Sequence, residues 1–120
     1  MSEAIAQAAR AAYDRDKLVE LFGDDPKTLA EVELEFLATA RGAEREIVGT
    51  SDCGVIARAA HRLKGASGMI GAASLRTIAE AVERAAKASD LSGVRRMHEI
   101  FAQEVQRVAD QVSAAASRVA

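Results

Sequence analysis

Apolar residues recur along the chain at three- and four-residue spacing, in blocks separated by short polar or glycine-containing breaks. After Asp24-Asp25-Pro26, Leu29, Val32, Phe36, Ala40, Ala43 and Ile47 form one such stripe. An acidic N-cap followed by a proline, whose fixed φ suits the first helical position, makes this a strong helix start. Gly42 is a weak point inside it, and Gly49-Thr50-Ser51-Asp52 reads as a turn into the next cap. Ile56, Ala59, Leu63, Ala66, Ser67 and Ile70 predict a helix from about Cys53 to Ile70. The next begins near Ala73 or Ser74 and carries Leu75, Ile78, Ala79, Val82 and Ala86. Beyond the Ser89-Asp90 turn, Val94, Met97, Phe101, Val105, Val108 and Val112 stay in register and predict one last helix. Its tail, Ser113 to Ala120, thins to alanine and is expected to fray.

Upstream, Asp14 or Asp16 caps a short helix carrying Leu18, Val19, Leu21 and Phe22, which Gly23 stops. Ser2 to Ala12 is alanine-rich with few large side chains, and is expected as a helical lid or frayed extension. The fold class is therefore all-α. Four long amphipathic helices joined by short turns predict an antiparallel up-down four-helix bundle, with an additional short N-terminal helical segment. Neither a repeat nor a linker divides the 120 residues, so one domain is expected, its bundle over 14–112 and an extension over 1–13.

Composition agrees with helices and adds little to a sheet: no tryptophan, one tyrosine, three phenylalanines and a single proline. A formal charge of -2 is too small to imply a nucleic-acid partner. The single cysteine, Cys53, excludes an intrachain disulfide and a cysteine zinc cluster. No stretch approaches the roughly 20 apolar residues of a membrane helix, and the start lacks the basic and apolar regions of a secretory signal. A cytoplasmic protein without membrane contact is expected.

The chemistry concentrates between Ala60 and Ala72, in A-H-R-L-K-G-A-S-G-M-I-G-A. Each glycine inside a helix costs about 1 kcal/mol relative to alanine, so glycines at 65, 68 and 71 need a reason. On a helical wheel the apolar stripe lies opposite His61, while Ala57, Lys64, Gly65 and Gly68 cluster around it with Arg58 beside them. A core histidine is thereby excluded. An exposed imidazole nucleophile on a face kept bare for a partner explains both histidine and glycines. Ala57, Arg58, Arg62, Gly65, Gly68 and Met69 are the expected docking residues, with Met69 and Ile70 as nearby apolar contacts. Lys64, one turn on, would offset the charge of a phosphoryl group on His61.

Bundle geometry adds another residue. With the turn centred near Ala72, His61 lies eleven residues before and Glu83 eleven after, so the two should lie level. Glu83 can then accept a hydrogen bond from one imidazole nitrogen and fix the tautomer, leaving the other nitrogen free to attack. The competing assignment is a surface pair with Lys87 at i+4.

At these positions the sequence resembles the histidine-containing phosphotransfer (HPt) family. Its pattern is matched by His61, Leu63, Lys64, Gly65, Gly71, Ala72, Leu75, Val82 and Glu83, and upstream by Phe36. Ala79 departs from it, since many members carry cysteine there, at a packing position. The resemblance implies a phosphorelay intermediate in which His61 takes a phosphoryl group from a receiver-domain aspartyl phosphate and passes it to another receiver. Lys64 would steady the phosphate and Gly65 would belong to the docking face. Expected partners are response-regulator receiver domains or a hybrid histidine kinase, with the chain acting as a monomer.

No cofactor is expected in this chain, because no carboxylates cluster around His61 and the magnesium would come with the receiver. Without a glycine-rich phosphate loop, autonomous ATP-dependent kinase activity is not expected. A histidine-kinase dimerisation domain fits poorly, because Arg62 stands where an acidic residue should follow the histidine. The alternatives are a degenerate bundle that only binds a receiver, or a non-catalytic helical adaptor with an exposed apolar stripe elsewhere. A metal-binding bundle fits worse still, because His98 sits on a different helix with no Glu-x-x-His pairing, expected at the edge of the last helix's stripe.

Overall fold

The computed structural model describes residues 11–119, which form six helices and no strand. They are α1 (Arg15–Phe22), α2 (Pro26–Val48), α3 (Cys53–Met69), α4 (Ala73–Lys87), α5 (Leu91–Arg96) and α6 (His98–Val119). The four long helices close a ring of contacts: α3 packs on α4, α4 on α6, α6 on α2 and α2 on α3. The predicted stripes supply its interior, with Leu29, Phe36, Ile56, Leu63, Leu75, Val82, Phe101 and Val108 all buried. Caps lie where the sequence placed them. Asp14, Asp25, Asp52 and Asp90 each accept a backbone N–H at a helix start, and Gly23 closes α1.

Three expectations need correction. The last apolar stripe is carried by two helices, because the Met97 N–H bonds tightly back to Val94 O and ends α5 after Arg96. At this break Arg95 turns to the end of α2, donating to the carbonyls of Ile47 at 3.0 Å and Thr50 at 2.7 Å. The alanine-rich tail does not fray but continues α6 to Val119, with Ala115 buried. Alanine is the best helix former, and one buried contact per turn is enough to hold it.

The third correction concerns the start of the chain. The helical extension expected over Ser2–Ala12 lies outside the described residues up to position 10. Ala11 and Ala12 are not helical, and Ala12 and Tyr13 are buried in the core. Gln111 of α6 clamps this strap. Its Oε1 accepts the N–H groups of Ala12 at 2.7 Å and Tyr13 at 3.3 Å, and its Nε2 donates to Tyr13 O at 3.0 Å. The Tyr13 hydroxyl donates to Glu33 of α2, and its ring meets Phe36 edge-on at 6.4 Å. Arg15 Nε stands 3.5 Å from the other Glu33 oxygen, which offsets the cost of burying that carboxylate.

The turn from α3 to α4 sets the level of the functional residues. Gly71 has φ +69°, and a Cβ there would lie 2.7 Å from Asp14 Cβ, while Asp14 N–H donates to Ile70 O. Only glycine fits both the backbone and the strap. Gly65, mid-helix in α3, has open space where its Cβ would be.

Gly71→Ala should lower unfolding stability by at least about 1–2 kcal/mol, the cost of a left-handed alanine before any clash is counted. Gly65→Ala should instead raise it by up to about 1 kcal/mol. Denaturant titration of the two variants separates a glycine required by the fold from one the fold would rather lose.

Candidate phosphoacceptor site

His61 stands on the solvent face of α3, opposite Leu63 and Ile56, with 70% of its side chain exposed. Glu83 comes level with it from α4 and is nearly enclosed, its side chain 7% exposed. His61 Nδ1 lies 2.9 Å from Glu83 Oε2. The same oxygen receives Lys87 Nζ at 3.0 Å, and Lys64 Nζ stands 3.8 Å from Oε1. The carboxylate is thus met by one imidazole and two lysines.

These contacts decide where the imidazole proton sits. A hydrogen bond from Lys87 holds the Glu83 carboxyl below its usual value of 4.5; burial opposes this and the bond from His61 adds to it. An ionised carboxylate has no proton to give, so the shared hydrogen belongs to His61 Nδ1. In the neutral ring Nε2 then carries the lone pair, on the side away from Glu83.

The cleft beside the imidazole, about 340 Å³, is lined by Ala57, Arg58, His61, Arg62, Glu83 and Lys87. Arg62 leans away to pair with Glu46 of α2 at 3.0 Å. Gly65, one turn beyond His61, leaves that flank without a side chain. Gly68 does not. A Cβ there would come into ordinary van der Waals contact with Arg76 of α4 at 3.4 Å, so a long side chain from the next helix borders this position. The wheel could not register a long side chain reaching over from the next helix.

The chain belongs to the Hpt domain family. The family model for the Hpt domain matches residues 1–115, and the family carries phosphoryl groups in two-component phosphorelays. No curated protein and no solved structure matches the chain. Among the described residues of this Hpt domain, no helix is long and apolar enough to cross a membrane.

Met69 was expected from the sequence as a docking residue, but its neighbours were not. Met69, 58% exposed, and Ala66 form one side of a shallow groove of about 210 Å³ with Phe22, Val32 and Phe36. The contribution of α1 to that groove had a signal: Leu21 and Phe22 are apolar in a helix too short to bury more than Leu18. Lys87 was set against His61 as an alternative partner for Glu83, and the structure gives Glu83 both. A larger opening of about 550 Å³, between the strap and the start of α4, is lined by none of the His61 cluster. His98 is exposed on α6.

Because the Glu83 pKa is lowered on folding, its contribution to stability is present above its unfolded value and lost as pH falls through the lower folded value. The stability advantage of the native protein over Glu83→Gln should therefore shrink on acidification below about pH 4.5, the usual carboxyl value. Denaturant midpoints of both proteins across pH 3 to 7, expressed as about five titration points, check the direction.

Proposed function

We propose that this Hpt domain is a phosphorelay intermediate in which His61 Nε2 is the phosphoryl acceptor and donor. The reading is supported above all by the Nδ1 contact with the buried Glu83 at 2.9 Å, which in the neutral imidazole places the lone pair on Nε2, on a side chain 70% exposed.

In the proposed step the Nε2 lone pair attacks the phosphorus of a receiver aspartyl phosphate. The N–P bond forms as the P–O bond to the receiver carboxylate breaks, and that carboxylate leaves with the electron pair. No proton transfer is required. The Nδ1 hydrogen stays in place, and the positive charge developing on the ring faces the Glu83 carboxylate. The reverse step delivers the group to a second receiver. Phosphoryl transfer is largely positioning and charge neutralisation, so an exposed imidazole with nearby cations suffices on this side. Lys64 and Arg58 would meet the phosphoryl oxygens, and magnesium would arrive with the receiver.

Docking would use the bare flank at Gly65 and the apolar groove formed by Phe22, Ala66 and Met69. That groove lies about 8 to 12 Å along α3 from His61, at 1.5 Å rise per residue, within the footprint of a small domain. The turns on either side of α3 are short, which supports an antiparallel run of the four long helices. Partners of this description are receiver domains, including those of hybrid histidine kinases.

Incubation with a phosphorylated receiver should transfer acid-labile label to the native protein and none to His61→Gln. Equal labelling of both, or none from a panel of receivers, would falsify the assignment. Gly65→Gln should keep the native helix content and melting temperature, yet slow transfer from a receiver by about 100-fold, the scale set by small misplacements of reacting groups. A native rate in that variant would remove Gly65 from the docking face.

A further inference from the structure

The structure assigns Lys87 as a positioning residue: it holds the Glu83 carboxylate on His61 Nδ1 and so leaves Lys64 available to a phosphoryl group. This rests on the reading of His61 as phosphoacceptor. It adds a division of labour between two lysines that either one alone would not reveal.

The geometry is asymmetric. Lys87 Nζ lies within ion-pairing distance of Glu83 Oε2, at 3.0 Å, from one turn further along α4. The i to i+4 order with the glutamate first is the favourable one for a helical pair. Lys64 Nζ, at 3.8 Å from Oε1, is beyond hydrogen-bond length. It sits one turn after His61 on α3, on the same helix face as the imidazole. Oε2 is met by both Lys87 and His61, which a carboxylate oxygen with two lone pairs can accommodate. Lys87 and His61 therefore converge on one oxygen from different helices, and that convergence fixes the carboxylate's rotation.

A carboxylate as enclosed as Glu83 must have a cation. Four surround it or line the adjoining cleft: Lys64, Arg58 and Arg62 from α3, and Lys87 from α4. Arg62 is engaged by Glu46. If Lys87 is removed, Lys64 is the nearest replacement, and a shift of about 1 Å would bring it to hydrogen-bond length. Glu83 would then turn Oε1 toward Lys64 and loosen its hold on Nδ1. The imidazole would lose its fixed tautomer, and the phosphoryl group would lose its lysine. With Lys87 in place neither occurs, and the lowered Glu83 pKa agrees with Lys87 as its principal partner.

The test uses the full chain and two measurements. Nitrogen-15 NMR of the imidazole reads the tautomer without any phosphorylation. Decay of phosphohistidine formed with phosphoramidate, a small donor, reads the phosphorylated state without a receiver. In Lys87→Met the His61 nitrogen signals should move from the Nδ1–H pattern toward a tautomer average. The phosphohistidine lifetime should fall about tenfold, the low end of what losing an outer-shell partner costs. Lys87→Arg should restore both. Adding Lys64→Ala to Lys87→Met should cost little more, since that lysine is already diverted, and a strongly sub-additive cycle is the signature.

Native tautomer signals in Lys87→Met, or losses that add in full, would overturn the assignment. A native protein that forms no phosphohistidine would instead overturn the acceptor reading, while the NMR arm would still decide whether Lys87 holds Glu83. Melting curves of each variant separate these outcomes from unfolding.

Discussion

The contact between His61 and Glu83 is the constraint on which the site depends, and it is made between two helices and not within one. Its 2.9 Å length requires α3 and α4 to pack closely and to stop in register. The register comes from a three-residue turn whose Gly71 takes a backbone angle that residues with side chains rarely adopt and lies against Asp14 of the strap. Ile70 O accepts the Asp14 N–H there as well. A feature at one end of the helical pair thus sets the imidazole's partner about three turns away. The carboxylate in turn converts an ordinary surface histidine into one with a defined tautomer.

Much of this was legible in the sequence because helical periodicity translates directly into faces. His61 lies opposite an apolar stripe, and the structure exposes it. Glu83 could be located by counting equal distances from the turn, since consecutive helices with a short connection bring equidistant residues level. Acidic caps at 14, 25, 52 and 90 marked four helix starts.

What the sequence hid depends on side chains from elsewhere. Gly68 lies on the histidine's side of the wheel, yet Arg76 of the next helix occupies the space above it. Glu33 falls on the stripe of α2, four residues after Leu29 and three before Phe36, but its charge made it read as a gap. Its partners, Tyr13 and Arg15, follow directly on an alanine-rich stretch whose small side chains suggested little to bury. A single aromatic residue and one amide were enough to anchor it. The choice between His61 and Lys87 for Glu83 was a false alternative, because a carboxylate has room for both.

The clamp between Gln111 and the strap joins backbone and side chain across 98 positions. Closing a loop of that length from a free chain costs about 4 kcal/mol in chain entropy, taking 1.5 RT per logarithmic unit of length. Three hydrogen bonds at about 1 kcal/mol net each do not offset it. The clamp is therefore stable only after the helices have already brought its halves together. It records completion of the bundle and does not initiate it. The pair α3 and α4, by contrast, makes contacts that are local in the chain and closes a far shorter loop than the strap does.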